Sequence, residues 1–188
     1  AGLVRAAGNG LAYIQCTVPY GIRVSKIYEA GGELVYGFGY FDILTPSGYH
    51  VRAQVAGRRD PMEVVAVNVT DVAAAERYYV DTFGMTGSKP LDTNGYAPKS
   101  PKGSRLMTFG DPTATLGLLL QPQAPTRAGG IFSYQPPPPL EVGNIYGGVV
   151  FVSAAASAAA ASGTTDPAGF GVEVEEYAAW QAGVKEGV

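Results

Sequence analysis

Apolar and polar residues alternate along the first part of the chain in a pattern that predicts a strand, a short helix and two further strands. Residues 11–18 alternate loosely, as a half-buried strand does, and apolar residues at helical spacing then continue to a pair of glycines. Alternation returns over 35–44 and predicts a second strand. Turn-forming residues at 45–48 and a strand over 49–55 complete this unit.

A second unit of similar order follows. The β-branched run 64–69 predicts a strand, and an apolar stripe over 72–83 predicts a helix for which Thr70 or Asp71 is the N-cap. A long loop rich in glycine, proline, lysine and serine comes next. The unit ends in a predicted pair of strands at 105–109 and 115–120.

The last third of the chain has a weaker pattern. Residues 121–139 resemble an extended polyproline connector, and a turn at 166–169 leads into a predicted strand over 170–177. We therefore divide the chain into a first module (1–60), a second module (61–122), a proline-rich connector (123–144) and a truncated third segment that completes the sheet (145–188).

Composition and charge narrow the classes of function. Charged residues make up 15% of the chain, below the roughly 25% typical of soluble domains, so we expect a partner to cover part of the surface. A net charge of −3 without a basic run gives no support for nucleic-acid binding. No apolar run approaches the roughly 20 residues of a membrane-spanning helix. Cys16 is the only cysteine and His50 the only histidine of the sequence, which excludes an internal disulfide and a two-histidine metal site within one chain.

Three segments carry a resemblance to a known superfamily. Residues 45–52 (TPSGYHVR) and 166–173 (DPAGFGVE) resemble the DPDGxxxE turn and strand of the glyoxalase, bleomycin-resistance and extradiol-dioxygenase superfamily, and 64–85 resembles its opening strand and helix. The resemblance implies an α+β fold of paired βαβββ modules with curved mixed sheets, the last module being shortened. The stretch PYGIRVSKIYEAGGE in the first module is also similar to plastid glyoxalase-like proteins of plants and algae.

The same resemblance bears on metal binding. Catalytic members, known as vicinal oxygen chelate proteins, place four metal ligands at fixed strand positions. Carried over to this chain, those positions include Val64, Gly148, Arg52 and Glu173, and the strand over 115–120 offers no glutamate. Only Glu173 keeps a ligand type, so the resemblance implies that the metal site is lost. We expect no catalytic residue, no metal and no cofactor.

Candidates for a ligand pocket come from aromatic and charged residues of the predicted strands: Tyr13, Tyr36, Phe38, Tyr40, Arg52 and Glu173. The aromatic residues either line a pocket for a flat ligand or pack as ordinary sheet residues, and Arg52 is a candidate for binding an anion. Glu173 is either a residual ligand or general base or, by preference, a solvated strand residue. Cys16 is interpreted as a buried small residue and His50 as a surface strand residue.

The favoured hypothesis is a non-catalytic glyoxalase-like protein that serves as a structural or interaction subunit of a larger assembly. The likeness to plastid proteins and the start at Ala1 without an initiator methionine predict the plastid (chloroplast), at the periphery of the thylakoid, with a photosynthetic membrane complex as candidate partner. The predicted partner contacts are Pro136, Pro137, Pro138 and Pro139. The alternatives are a metal-free small-molecule binding module of the drug-binding type and a metal-dependent lyase, isomerase or dioxygenase.

Overall fold

Two consecutive four-strand units form one mixed sheet. The computed structural model describes residues 8–19, 23–56, 61–91, 99–113, 115–127, 134–141, 149–153 and 164–176. The first unit consists of β1 (Leu11–Val18), α1 (Val24–Glu29), β2 (Glu33–Tyr36), β3 (Phe41–Leu44) and β4 (His50–Val55). The second consists of β5 (Met62–Val69), α2 (Val72–Phe83), β6 (Thr86–Ser88), β7 (Arg105–Thr108) and β8 (Gly117–Pro122).

Both units have the same internal arrangement of paired strands, and they meet at their first strands. The strand order in the eight-stranded sheet is β2-β3-β4-β1-β5-β8-β7-β6. In each unit the first strand is parallel to the last, β1 to β4 and β5 to β8, whereas the remaining neighbours are antiparallel. Strands β1 and β5 join the units in an antiparallel pair. This arrangement confirms the predicted α+β fold with a curved mixed sheet, and it is consistent with paired βαβββ modules.

Helix α2 begins and ends at residues that the sequence indicates. The Asp71 carboxylate accepts hydrogen bonds from the backbone N–H groups of Ala73 and Ala74 at 2.9 and 3.0 Å, so Asp71 rather than Thr70 is the N-cap. Gly84 follows the helix with φ 66°, a left-handed conformation that favours a residue without a Cβ atom.

Two turns with the same hydrogen bonds lie in separate parts of the chain. In each, the N–H of the first residue donates to the carbonyl of the fifth, and the N–H of a glycine at the fourth position donates to the carbonyl of the first. The two distances are 2.8 and 2.9 Å in the turn over 45–49, and both are 2.9 Å in the turn over 166–170. Gly48 and Gly169 have φ 85° and 89°. The two sequence segments that resemble one family turn therefore share one local structure.

The main apolar core lies between α2 and one face of the sheet. Its buried residues are Val67, Val69, Ala75, Tyr79, Met85, Met107, Leu118, Leu120 and Phe170. The fully buried Tyr79 donates its hydroxyl proton to Asp166 Oδ2 at 2.7 Å, which fixes the turn that precedes Phe170 to the helix. A smaller cluster of Ala66, Leu106 and Leu119 lies on the opposite face of the sheet.

The alternating segment 35–44 forms a hairpin and not the single strand that its pattern predicts. Strand β2 ends at Tyr36 and β3 begins at Phe41, with Gly39 at φ 78° between them. Glycine permits turn conformations that other residues avoid, so two glycines in this stretch interrupt the strand. Phe38 lies in the connection and is 68% exposed.

Short strands follow the second unit. Strand β9 (Thr126–Arg127) pairs antiparallel with β10 (Tyr134–Gln135), so the predicted connector contains a small strand pair. Strands β11 (Val149–Ser153), β12 (Thr164–Thr165) and β13 (Gly171–Glu176) form a three-stranded sheet in the order β11-β13-β12. The alanine-rich segment 154–161 lies outside the described residues. Within the described ranges, neither helix has the length and apolar character needed to cross a membrane.

Candidate functional site on the polar face of the sheet

The sheet face opposite α2 carries a row of buried polar side chains on β1 and β4. The parallel register pairs Gln15 with Arg52 and Thr17 with Gln54, which places all four on one face. We call these four residues the polar face. Each is between 4% and 9% exposed. Buried polar groups are costly unless they are paired, so this row indicates either an internal hydrogen-bond network or a ligand site.

Arg52 contacts two aromatic rings, one on β1 and one just before β3. Its guanidinium carbon lies 4.0 Å from the ring centroid of Tyr13 on β1 and 5.4 Å from that of Tyr40, which precedes β3. Such cation–π contacts orient the guanidinium and offset part of the cost of burying it. The Tyr40 ring in turn stacks on Tyr36, with the two centroids 4.8 Å apart.

Among the described residues, Asp42 is the acidic residue nearest to Arg52. Its register partner is Arg52, and Arg52 Nη2 lies 3.8 Å from Asp42 Oδ2, within ion-pair range but beyond hydrogen-bond distance. The other carboxylate oxygen lies 3.5 Å from Nδ1 of His50, whose side chain is 43% exposed. The antiparallel pairing of β3 with β4 thus places an acidic residue beside His50, although none lies near it in sequence.

Burial affects the pKa of two tyrosines at the site. Burial raises the pKa of Tyr13 above its usual value, and the nearby Arg52 and Ser100 offset only part of that shift. Burial likewise raises the pKa of Tyr40. Both phenols are therefore protonated at neutral pH.

A β-bulge brings an acidic residue to the polar face. The register between β1 and β5 shifts after Gln15, and Gln15 Nε2 donates to Glu63 Oε2 at 2.8 Å. Burial raises the pKa of the neighbouring Cys16 thiol, and the negative charge of Glu63 raises it further. Cys16 is therefore mainly a thiol at neutral pH and is not an activated nucleophile.

A cleft of about 490 Å³ opens beside Arg52. Its polar lining includes Asn9, Arg52, Asn68, Lys99, Ser100 and Gln121. Its apolar lining comes from Leu11, Ala12, Pro101, Ala124 and Pro138, together with the ring of Tyr13. The volume lies within the usual range for small-molecule sites.

Paired amides form one side of the cleft. Gln121 Nε2 donates to Asn68 Oδ1 at 3.0 Å, and Asn68 Nδ2 donates to the carbonyl oxygen of Asn9. Asn9 Nδ2 also donates to the Pro139 carbonyl at 2.9 Å, and its Oδ1 accepts from the Glu141 N–H at 2.7 Å. These bonds attach the end of the proline run to the sheet.

The structure brings some of the predicted site residues together and separates others. Tyr13, Tyr40 and Arg52 lie in contact, and Tyr36 joins them through its stacking on Tyr40. Phe38 lies in the β2–β3 connection, where its side chain is exposed. The backbone of Glu173 pairs with Val150 of β11, and its side chain lies outside the described residues. The four predicted contact prolines, 136–139, are exposed.

Sequence reasoning missed the polar residues that flank Arg52. Gln15, Thr17 and Gln54 alternate with apolar residues in two predicted strands, which is the signal that places them on one face. Alternation alone does not reveal whether that face meets solvent or a neighbouring element. The position of Glu63 depends on a bulge, and the sequence does not indicate one there.

Two of the positions that the family resemblance assigns to metal ligands, Arg52 and Val64, do not fit a divalent metal. Arg52 places a permanent cation on this face, and guanidinium offers no lone pair for a metal. Val64 has no donor atom for a metal, and its register partner Gly117 has no side chain. Gly148 lies outside the described residues. Among the described side chains, no group of three or more His, Cys, Asp and Glu is placed to hold a metal ion.

Comparison with known proteins identifies the fold. No family model matches the chain, and neither does any curated protein. The structure is similar to glyoxalase I from Zea mays, with a TM-score of 0.68 and 15% identity over 96% of this chain and 72% of that chain. Two crystal structures of mutants of that maize protein give TM-scores of 0.66 and 0.65 at 16% identity, covering 95% of this chain in each case and 71% and 72% of theirs. The predicted resemblance is thus confirmed at the level of the glyoxalase fold.

Proposed function

We propose that this glyoxalase-like protein has lost metal-dependent chemistry and acts as an interaction subunit of a larger protein assembly. The observation that carries the proposal is an exposed apolar surface on the first unit. The exposed apolar side chains are Val24 and Tyr28 on α1, Val35 and Tyr36 on β2, and Phe38 in the connection after β2. We call these five residues together the β2 edge patch. These are five of the eleven exposed large apolar side chains among the described residues, and they fall within 15 consecutive positions of the chain, 24–38.

The position of this patch in the sheet supports a protein partner. Strand β2 is the terminal strand of the eight-stranded sheet, and within the described residues it pairs only with β3. Val35 and Tyr36 are 53% and 43% exposed on this edge strand. Exposed apolar edge strands are sites of association unless charge or cover protects them. Larger exposed apolar patches likewise mark interaction surfaces.

The chemistry of the patch favours an apolar protein surface over a charged one. Its charged neighbours are of both signs: Lys26 and Glu29 form an exposed ion pair at 2.6 Å, and Glu33 begins β2. Neither sign dominates, so burial of apolar area supplies the driving force. A partner that adds a strand to β2 would combine that burial with main-chain hydrogen bonds.

The exposed prolines 136–139 offer a second partner contact, since the carbonyl of Pro139 is anchored at Asn9 and all four prolines are exposed. A rigid proline run loses little conformational entropy on binding.

We place the assembly in a plastid, at the periphery of the thylakoid and with a photosynthetic membrane complex as partner, on the resemblance of the first module alone. Cell fractionation of the tagged protein tests the compartment, and recovery outside plastids refutes it.

The proposed interaction is tested by native-gel migration of the tagged chain expressed in its source cells. Val35→Lys introduces a charge on the edge strand, and Leu116→Lys is the matched control, because Leu116 is 45% exposed but lies between β7 and β8. We expect wild type and Leu116→Lys to migrate with a large complex and Val35→Lys to migrate near 19.5 kDa. Wild-type protein that migrates freely, or Val35→Lys that stays in the complex, contradicts the proposal.

A further inference from the structure

The geometry points to a second function at a different place: we propose that the cleft beside Arg52 binds a small planar organic acid, with its carboxylate on the Arg52 guanidinium. Arg52 is on β4, two strands away from β2 in the sheet, and the described lining of the cleft contains no residue of the β2 edge patch. Tyr36 of that patch reaches Arg52 only through its stacking on Tyr40. The inference does not rest on the proposed interaction.

The first step is that Tyr13 and Tyr40 hold the Arg52 guanidinium in place while one of its donors, Nε, lacks an acceptor. It is only 9% exposed, and its Nε is buried without a hydrogen-bond partner among the described residues. The nearest carboxylate oxygen, on Asp42, lies 3.8 Å from Nη2, too far for a hydrogen bond. A buried donor without an acceptor is unfavourable, and an incoming oxyanion removes that cost. The flat guanidinium fork matches a carboxylate, which it binds with two parallel hydrogen bonds.

The second step is the charge of the cleft. Its described lining contains two cations, Arg52 and Lys99, and no aspartate or glutamate. Asp42 approaches Arg52 but does not line the cleft. A low-dielectric cleft lined by one sign of charge concentrates ligands of the opposite sign, and this cleft therefore selects anions.

The third step is the shape and polarity of the walls. The Tyr13 ring and the apolar residues Leu11, Pro101 and Pro138 line the space next to the guanidinium. These surfaces suit a flat apolar body rather than a compact inorganic ion. Gln121 lines the same cleft, and its Oε1 is buried without a partner among the described residues.

The test uses naphthoate as the probe, with naphthamide as its uncharged analogue and inorganic phosphate as a compact anion. Binding is measured by calorimetry, and the Arg52 Nε–H signal is followed by ¹H–¹⁵N NMR after assignment with Arg52→Gln. We expect naphthoate to bind saturably and to shift the Nε–H signal. We expect Arg52→Gln to weaken naphthoate binding at least about tenfold, the factor typical of losing a charge-assisted hydrogen bond. Naphthamide and phosphate are expected to bind far more weakly.

The matched control is Arg105→Gln. Arg105 carries the same charge, but its Nε pairs with Glu76 at 3.1 Å and it does not line the cleft, so naphthoate affinity should change by less than about twofold. If circular dichroism shows that Arg52→Gln does not fold, the variant Lys99→Gln is tested in its place. Lys99 is exposed, and its loss should weaken naphthoate binding about fivefold.

Three outcomes overturn the inference: absence of saturable naphthoate binding, equal affinity for naphthoate and naphthamide, or an Arg52 Nε–H signal that does not move on binding. Tighter binding of phosphate than of naphthoate also overturns it, because the site would then select compact anions. The inference is distinguished from the proposed interaction by the native-gel assay, in which Arg52→Gln is expected to migrate as wild type does.

Discussion

Replacing Tyr79 by phenylalanine tests the contact that ties the turn over 166–170 to the core. Tyr79 is fully buried on α2, and its hydroxyl donates to Asp166 Oδ2 at 2.7 Å. The carboxylate also accepts from the backbone N–H groups of Ala168 and Phe170 through Oδ1, both at 2.9 Å, and those bonds remain in the variant. Only Oδ2 loses its donor, while Asp166 stays 4% exposed.

The expected loss of stability follows from that geometry. A hydrogen bond to a charged group contributes about 1.5–3 kcal/mol, and the aromatic ring itself keeps its packing. We therefore expect Tyr79→Phe to lower the free energy of unfolding by about 1.5–3 kcal/mol. For a chain of this size that corresponds to a fall in Tm of about 3–12 °C.

The assay is urea unfolding followed by far-ultraviolet circular dichroism. Tyr28→Phe is the control, because Tyr28 is 56% exposed on α1. The loss of its hydroxyl should change the free energy of unfolding by less than about 0.5 kcal/mol. A Tyr79→Phe value as small as that of the control refutes the reasoning. The hydrogen bond from Tyr79 to Asp166 would then contribute nothing measurable to stability.

Two further predictions concern titration. The folded pKa of Tyr13 is raised above its usual 10.0, so the stability it contributes is present below that pH and is lost as pH rises through the folded pKa. Urea unfolding at increasing alkaline pH should therefore show a steeper loss of stability in wild type than in Tyr13→Phe, and parallel curves would contradict this. Burial and the charge of Glu63 both raise the pKa of Cys16, so Glu63→Gln should move the pH profile of iodoacetamide alkylation to lower pH. Glu29→Gln removes an exposed charge on α1 and should leave that profile unchanged, and a shift of equal size in both variants would count against the assigned cause.

The sequence predicts the local elements well where one physical signal decides them. Strand β1 matches the alternating run, Asp71 and Gly84 bound α2, and the two glycine-containing turns form where their residues favour them. The hairpin at β2 and β3 was missed because alternation continues across the turn that separates them. Periodicity records which residues share a face, but it does not record where the chain reverses.

The candidate site was only partly predictable for a different reason. Tyr13, Tyr40 and Arg52 were recognised as chemically capable residues, yet their contact depends on the pairing of β1, β3 and β4. The approach of Asp42 to His50 depends on the same pairing, and that of Glu63 to Cys16 depends on a bulge. Such contacts follow from strand order and register, which a single sequence does not specify.

The central claim is that the β2 edge patch binds a protein partner. Hydrogen–deuterium exchange tests it most directly, by comparing the recombinant chain alone with the chain in its native assembly. We predict that the backbone amides of β2 (Glu33–Tyr36) that are not bonded to β3 exchange readily in the isolated chain and become protected in the assembly, while amides of β8 exchange equally in both. Equal exchange at β2 in the two samples would contradict the account.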